Sequence, residues 1–175
     1  MRFTLIDRIV ELKPGEKITA VKNVSLAEEY LQDHFPKFPV LPGVLMLEAM
    51  TQACAWLLRV SEDFAHSMVL LKEARNIKFA DFVAPGQLLS VAAELTRQDE
   101  RLAQFKVQGT VDGEQVVSGR LVLERFNLAD TDPDEAATDI HVKHELRILF
   151  SLLYPGSVSQ QAAARVDDLS TAGKP

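Results

Sequence analysis

The most apolar stretch of the chain runs from Val44 to Leu58 and is interrupted only by Glu48, Thr51 and Gln52. A Pro-Gly pair precedes it, and proline fits the first turn of a helix but not its interior. Leu, Met and Ala, which dominate the stretch, are strong helix formers. The pattern therefore predicts a helix that begins at about Gly43. Because this helix is apolar on nearly every side, we expect the rest of the fold to cover it.

Shorter apolar segments with partial alternation flank this helix, and such alternation is typical of strands. Turn signals separate them, and the Asp112-Gly113 pair favours a tight hairpin. Consecutive strands with tight turns form antiparallel sheets, so we predict an α+β fold in which such a sheet covers one central helix. A capping box predicts a short helix over residues 25–32. The predicted strands are 2–12, 17–24, 68–79, 88–97, 102–111 and 116–126.

The C-terminal part of the chain has a different character. Residues 127–139 are acidic, residues 141–153 carry apolar side chains at helical spacing, and residues 157–175 are small and polar. We therefore expect a domain over residues 1–126 and an appendage over residues 127–175. The appendage would consist of an acidic linker, an extra C-terminal helix that docks on the sheet or on a partner subunit, and a partly disordered tail.

Length and composition narrow the class of protein. A chain of 175 residues, 47% apolar and 25% charged, fits one globular domain with an appendage. The net charge of −6 argues against nucleic-acid binding, which usually needs a basic surface. The apolar stretch is shorter than the roughly 20 residues of a membrane span and contains Glu48, so no membrane contact is expected. No charged-then-apolar leader is apparent, and we expect a cytoplasmic location.

Glu48 is the side chain that a buried helix explains least, because an unpaired buried carboxylate is costly. Its spacing places it on one helix face with Thr51 and Gln52. His34 lies in the proline-rich loop before the helix, which can hold its imidazole opposite this polar spot, and a buried acid facing an imidazole is an acid–base pair. Alternatively, Glu48 caps a backbone N–H and His34 is an ordinary loop histidine. For either residue taken singly, that alternative is favoured.

Taken together, the residues of this segment resemble a known family. The residues are His-Phe-Pro at 34–36, Pro-Val-Leu-Pro-Gly-Val-Leu at 39–45, Glu-Ala at 48–49 and Gln52. About a dozen residues at fixed spacing thus resemble the signature of the β-hydroxyacyl-acyl-carrier-protein dehydratases of fatty-acid biosynthesis (the FabZ type), and looser similarity extends to about Phe126. The resemblance implies a hotdog fold, in which an antiparallel sheet wraps around a central helix. It also implies a hydro-lyase that converts a (3R)-hydroxyacyl thioester into the trans-2-enoyl thioester.

The same resemblance assigns roles to single residues. It implies that His34 and Glu48 are the catalytic pair and that the Gly43 amide stabilises the oxyanion. It further implies that Gln52 orders a water beside Glu48 and that the Val40 carbonyl holds the imidazole. The residue types suit these roles: imidazole is mostly neutral at working pH, burial raises the pKa of a carboxyl, and an N–H at a helix start lacks an intrahelical partner.

The implied site is shared between subunits. In that family the two catalytic side chains come from different protomers, which implies a homodimer, or a trimer of such dimers. An acyl tunnel lined by Phe38, Leu41 and Leu45 would run between the protomers. Acyl carrier protein or a CoA thioester is the implied partner, and no metal or organic cofactor is needed.

Some positions depart from the pattern and leave other functions open. Asp33 and Lys37 stand where the family usually has glycine, and Gln87 stands where it has aspartate, which permits an altered substrate or lost activity. On the same fold, a thioesterase would use Glu48 to activate water against the carbonyl. A non-catalytic module would only bind the acyl thioester.

Two further groups have simpler explanations. His141 and His144 are spaced to share a metal with Asp139, but metal sites normally need more ligands, and a solvated helix face is favoured. Cys54 lies among apolar residues in the middle of the central helix, so we expect a buried, unreactive thiol and no disulfide.

Overall fold

The computed structural model describes residues 4–35 and 37–155. Within them, the strands and helices follow the order that the apolar pattern predicts, with one long helix between the second and third strands. In chain order the elements are β1 (Arg8–Lys13), β2 (Lys17–Asn23), α1 (Tyr30–Asp33), α2 (Gly43–Ser61), β3 (Met68–Phe79), β4 (Leu88–Gln98), β5 (Leu102–Val111), β6 (Glu114–Phe126) and α3 (Ala136–Leu153).

All six strands form one sheet in the order β1-β2-β4-β5-β6-β3, and every neighbouring pair is antiparallel. Helix α2 packs against one face of this sheet. The predicted α+β architecture, a sheet around a central helix with an extra C-terminal helix, is therefore confirmed. The hairpin between β5 and β6 turns at Asp112 and Gly113, which both adopt positive φ, as a tight primed turn requires.

The core lies between α2 and the face of the sheet that carries alternate apolar side chains. Val91 of β4, Phe105 of β5 and Leu121 of β6 are at most 1% exposed and face α2, which contributes Met50 and Leu57 among others. Covering one aliphatic or aromatic side chain of this size stabilises the fold by roughly 1.5–3 kcal/mol. This burial accounts for the apolar composition of the central stretch.

Helix α2 is less evenly buried than we expected. Pro42 is its N-cap with extended backbone, and the positive φ values of Asp63 and Phe64 terminate it beyond Ser61. Its buried residues lie between Met46 and Leu58, whereas Val44 in the first turn is 68% exposed. By length and composition alone such a helix could cross a membrane, but 56% of its apolar window is buried in the fold, which marks it as a core helix.

Several boundaries differ from the predicted ones. β1 begins at Arg8 rather than at residue 2, and α1 begins only at Tyr30, because the Ser25 hydroxyl closes a local turn with the N–H of Ala27 (3.2 Å). The acidic linker is partly ordered, with 3-10 turns at 128–130 and 133–135 leading directly into α3. The partly disordered tail predicted over residues 157–175 lies outside the described part of the chain.

Helix α3 docks at the C-terminal end of α2. The ring of Phe150 lies 6.0 Å from that of Trp56 and 5.9 Å from that of Phe64. At the other end of α3, the buried Asp139 carboxylate accepts hydrogen bonds from the Ser67 hydroxyl and from two backbone N–H groups, those of Leu128 and Ala129 (both 2.9 Å). Apolar and polar contacts thus fix both ends of the appended helix.

Candidate active site

His34 is positioned by the short helix that precedes it. Its backbone N–H donates to the carbonyl of Tyr30 at 3.2 Å, and the chain then turns sharply through Phe35, whose φ is +51°. A positive φ at a bulky residue is uncommon and occurs where the surrounding structure holds it, often at functional sites. The imidazole packs edge-on against the Phe35 ring at a centroid distance of 4.4 Å.

An ion cluster around the buried Lys22 lies next to Tyr30 of α1. Lys22 is 6% exposed and its ammonium group lies 2.7 Å from a Glu28 carboxylate oxygen and 3.6 Å from one of Asp7. Burial, followed by the charges of Glu28 and Asp7, raises the pKa of the Tyr30 phenol to about 12, so this hydroxyl stays neutral. We did not foresee this ion cluster, since nothing in the sequence spacing indicates that Asp7 before β1, Lys22 of β2 and Glu28 before α1 meet.

A cavity of about 220 Å³ opens beside His34. Four of the residues that the sequence assigned to the site contact it, and the other lining residues come mostly from the end of β3 and the loop after it. A larger concavity of about 480 Å³ lies against the sheet at Thr96 and Lys106, but it contains no imidazole and no helix start. The lining residues of the smaller cavity are His34, Phe35, Val40, Leu41, Gly43, Met46, Phe79, Asp81 and Phe82.

Gly43 brings a helix start to the wall of this cavity. The first intrahelical bonds run from the N–H groups of Leu45 and Met46 to the Pro42 carbonyl (2.9 and 3.1 Å). Within the described residues the Gly43 N–H has no acceptor, as expected for the first residue of a helix. It lies at the positive end of the helix dipole, so it suits an oxygen that becomes negative during a reaction.

Glu48 and Gln52 form the expected polar pair on α2. The Gln52 amide donates to Glu48 Oε1 at 2.9 Å, and its oxygen accepts from the backbone N–H of Leu5, also at 2.9 Å. Thr51 does not join them, because its hydroxyl donates back to the Leu47 carbonyl at 3.0 Å. Among the described residues, Glu48 therefore does not cap a backbone N–H, which was the alternative explanation for it. Its hydrogen-bond partner there is Gln52, which the family resemblance also assigns to the site.

Within one protomer, His34 and Glu48 are not part of one cavity. Glu48 is absent from the lining of the cavity that contains His34, and it is half-buried rather than enclosed. Phe38 and Leu45 are absent from the lining as well, although the Phe38 ring packs edge-on against Phe82 at 5.5 Å. The structure of a single chain therefore does not bring His34 and Glu48, the expected catalytic pair, together in this cavity, and their roles stay a prediction.

Other expected details of the site differ. The imidazole forms no hydrogen bond with the Val40 carbonyl in the part of the chain that the structure describes, and its ring packs on Phe35 instead, so the role of Val40 stays a prediction. Lys37 is exposed, and the Asp33 side chain lies outside what the structure describes. Gln87 has a local structural role, because its amide oxygen accepts from the N–H of Ala84 at 2.7 Å and closes the turn before β4.

The histidines of α3 do not form a metal site with Asp139. Asp139 is buried against Ser67 and the chain around Leu128, whereas His141 and His144 are exposed on other sides of the helix. Across residues 4–35 and 37–155, no group of three or more His, Cys, Asp or Glu side chains could bind a metal ion. Cys54 is fully buried, as predicted, and burial raises the pKa of its thiol well above the usual value.

Known proteins share both this fold and this sequence pattern. The FabA-like domain family matches residues 1–120. A 3-hydroxyacyl-(acyl-carrier-protein) dehydratase FabZ of Ruminiclostridium cellulolyticum is 38% identical over 119 residues, covering 68% of this chain and 84% of the relative. The FabZ of Myxococcus xanthus is 39% identical over 136 residues, covering 77% and 87% of the two chains.

A solved structure gives the same architecture. The dehydratase heterocomplex ApeI:P from Xenorhabdus doucetiae superposes with a TM-score of 0.62 at 21% identity, over 72% of this chain and 85% of the other. At that identity the likeness concerns the fold alone, and it confirms the sheet wrapped around a helix. The chain belongs to the FabA-like family, and within it the curated relatives at 38–39% identity are FabZ dehydratases. The resemblance of the His34 to Gln52 segment is thereby confirmed.

Proposed function

We propose that this protein is a 3-hydroxyacyl-(acyl-carrier-protein) dehydratase, a hydro-lyase that forms the trans-2-enoyl thioester and water. The observation that carries this proposal is that His34 and Gly43, the first residue of α2, line one mostly apolar cavity. The family and the names of its curated members support the same reaction. Fatty-acid or related acyl-chain synthesis is the setting in which the reaction belongs.

The reaction needs a base, an acid and an oxyanion site. The His34 imidazole removes a proton from C2 of the substrate, and the electron pair moves toward the thioester carbonyl, whose oxygen is stabilised by the Gly43 N–H. The C3–O bond then breaks as Glu48 protonates the departing hydroxyl, and the C2–C3 double bond forms. Each proton transfer contributes roughly 10²–10⁴-fold, and an oxyanion donor about 3–4 kcal/mol. Gln52, bonded to Glu48 at 2.9 Å, orients this carboxyl and a nearby water.

A second protomer supplies the missing half of the site. β3 is an edge strand of 12 residues, and Leu70 on it is 47% exposed, while Val44 at the start of α2 is 68% exposed. Long apolar edges of this kind normally pair or are covered. A homodimer that joins two β3 edges would cover these side chains and bring Glu48 of each protomer toward the cavity of the other. Such a dimer would also complete an apolar acyl tunnel beside Leu41, Leu45 and Phe38.

The acyl group reaches this site on a carrier. The curated relatives are named for acyl-carrier-protein substrates, and we propose the same carrier here, with a CoA thioester as the simpler test substrate. We further propose that the protein works in the cytoplasm as a homodimer, or as a trimer of dimers.

One assay separates this function from the two alternatives on the same fold. The protein is incubated with 3-hydroxybutyryl and crotonyl thioesters of CoA and of acyl carrier protein. A change in the absorbance of the conjugated enoyl thioester is expected in both directions. Release of free thiol would instead identify a thioesterase, and binding without either change would identify a non-catalytic module.

Mixing two inactive variants tests whether the site is shared. His34→Ala and Glu48→Gln dimers are unfolded together, refolded and assayed. In a shared-site dimer, each mixed dimer contains one intact site and one doubly altered site. The mixture should therefore recover roughly a quarter of wild-type activity. No recovery, with dimers present by light scattering, would show that both residues of a site come from one protomer.

A further inference from the structure

An extra residue in β3 changes which side chain this strand presents to the active site. Ala74 pairs with Leu121 and Arg75 with Arg120, but the next pairs are Lys78 with Ser118 and Phe79 with Val117. β3 thus advances three positions while β6 advances two. The extra residue forms a bulge in which Asn76 adopts a φ of +53°. Bulges of this kind bend a strand and re-aim its side chains, often near active sites.

Gly119 of β6 makes room for this bulge. A Cβ placed on Gly119 would lie 2.3 Å from the Ile77 side chain and 3.3 Å from the Arg75 carbonyl oxygen. A larger residue there would force the Ile77 side chain to move and would crowd the backbone of the bulge at 3.3 Å. Residues of both strands, Asn76 of β3 and Gly119 of β6, therefore accommodate the bulge.

The bulge reverses the facing of every residue after it, because side chains alternate along a strand with a period of two. Ala74 shares the inner face with Leu121, which is fully buried against α2. Regular alternation from Ala74 would place Phe79 on the outer face. With one residue added, Phe79 instead shares the inner face with Val117, which is also fully buried. A first bulge, between Leu71 and Glu73, reverses the alternation that begins with Leu71, and the bulge at Asn76 restores it, so that Phe79 faces the start of α2.

The Phe79 ring lies directly on Gly43. A Cβ built on Gly43 would stand 3.1 to 3.4 Å from three carbon atoms of this ring, so the ring occupies the space next to the Gly43 backbone. Both residues line the cavity of His34. Yet Phe79 is 52% exposed, unlike the core residues around it. Its ring therefore forms a wall of the cavity rather than part of the core.

We propose that Phe79 is a positioning residue that acts through Gly43. Its ring fixes the first turn of α2 and excludes water from the Gly43 N–H, so that this donor meets the thioester oxygen without competition from solvent. This inference rests on the proposed dehydratase function and assigns to the bulge of β3 a part in it. An N–H in a water-excluded site stabilises an oxyanion far better than one in contact with water.

Kinetics of Phe79 variants test the inference. Phe79→Ala should lower kcat by about tenfold or more with little change in KM, since the lost effect concerns the developing charge. The same factor is expected for four-carbon and longer 3-hydroxyacyl thioesters, because Phe79 lies at the thioester end. Phe79→Leu keeps an apolar cover over Gly43 and should stay within about threefold of wild type. Leu88→Ala, at a strand residue that is 45% exposed and outside the cavity, is the control.

A double-mutant cycle tests the contact itself. Gly43→Ala alone should reduce kcat, because its methyl group would crowd the Phe79 ring at 3.1 to 3.4 Å, a collision relieved only if the ring or the start of α2 shifts. Adding Phe79→Ala removes the collision, so the double variant should lose less than the product of the two single losses. Each variant is checked by light scattering for an unchanged oligomer; if Phe79→Ala alters it, Phe79→Leu replaces it in the cycle.

The outcomes separate this inference from the function on which it rests. If the wild type forms no enoyl thioester, the proposed function fails. If the wild type is active but Phe79→Ala keeps its kcat, or its defect grows with acyl length, or the cycle is multiplicative, the positioning role is overturned while the dehydratase stands.

Discussion

The two ends of α2 have opposite environments although they belong to one helix. At its start, Val44 is 68% exposed, Glu48 is half-buried and a cavity opens beside Gly43. At its end, Trp56 is 4% exposed and Phe150 of α3, itself 9% exposed, covers it. The first end leaves Val44 exposed and Glu48 only half-buried beside Gln52, and the second is closed by the appended helix.

We infer that the closed end of α2 mainly stabilises the fold and that the open end contains the groups of the proposed reaction. The closed end gains stability from contacts that one protomer completes by itself. The open end contains the candidate groups of the proposed reaction, the His34 imidazole, the Glu48 carboxyl and the Gly43 N–H. We therefore expect changes at the open end to affect turnover and changes at the closed end to affect unfolding.

The largest effect is expected at the open end. His34→Ala and Glu48→Gln should each lower kcat by roughly 10²–10⁴-fold, since each removes one proton-transfer group. The melting temperature should stay close to that of the wild type. The measurement is the absorbance of the enoyl thioester, with Glu29→Gln, an exposed glutamate beside α1, as control. Wild-type turnover in either variant would remove that residue from the mechanism.

At the closed end, Phe150→Ala should destabilise the fold by about 3–5 kcal/mol, because its ring contacts Trp56, Phe64 and Tyr154. Turnover of a four-carbon substrate, measured well below the melting temperature, should hardly change. Leu152→Ala, on the same helix but 71% exposed, should stay within about 0.5 kcal/mol of wild type by urea unfolding. Equal destabilisation by the two changes would show that α3 does not dock as described.

The hydrogen bonds of the buried Asp139 at the start of α3 should give a smaller, pH-dependent effect. Burial alone would raise the pKa of Asp139, but hydrogen bonds from Ser67 and from the N–H groups of Ala129 and Leu128 outweigh it and lower the pKa. A lowered pKa in the folded state adds stability above the unfolded value, about 3.9, and this stability is lost as the pH falls through the folded pKa.

Asp139→Asn should therefore lower the melting temperature by several degrees at pH 7. The difference from the wild type should shrink below about pH 4, where the wild-type carboxyl also becomes protonated. Thermal unfolding from pH 7 to pH 3 measures it, and Asp134→Asn, an exposed aspartate of the same linker, should show no such pattern. A melting-temperature difference that persists unchanged at pH 3 would argue against stabilisation by the charged form of Asp139.

The smallest effect is expected at Arg147. Its guanidinium pairs with Asp63 at 2.7 Å and lies 4.5 Å from the Phe64 ring centroid, but the pair is exposed to solvent. Arg147→Met should cost about 0.5–1 kcal/mol, and less in high salt. Urea unfolding at two salt concentrations, with Arg97→Met on β4 as control, detects it. A loss that does not depend on salt would assign the effect to packing of the side chain rather than to its charge.

The sequence was most informative where local chemistry determines structure. The Pro-Gly pair located the start of α2, and Asp112-Gly113 located a hairpin whose φ angles only such residues adopt readily. The spacing of His34, Gly43 and Glu48 identified the family and the candidate site. These signals lie within short segments and need no knowledge of distant contacts.

The sequence was least informative where structure depends on contacts between distant segments. The facing of Phe79 depends on two bulges in β3, one between Leu71 and Glu73 and one opposite Gly119, and neither is visible in the alternation of apolar residues. Glu48 is only half-buried because the sheet of one protomer leaves this part of α2 partly uncovered. Asp139 looked like one more charge of a solvated acidic linker, because the donors that surround it come from positions 67, 128 and 129.

The buried Cys54 has a practical consequence for all these experiments. Its side chain is 0% exposed in the middle of α2, and a thiol reagent can reach it only when the fold opens. The rate of its alkylation therefore reports how often the protein opens, without any attached dye. A thioester analogue that binds the folded protein should slow this labelling in proportion to its occupancy, which gives an affinity measurement independent of turnover.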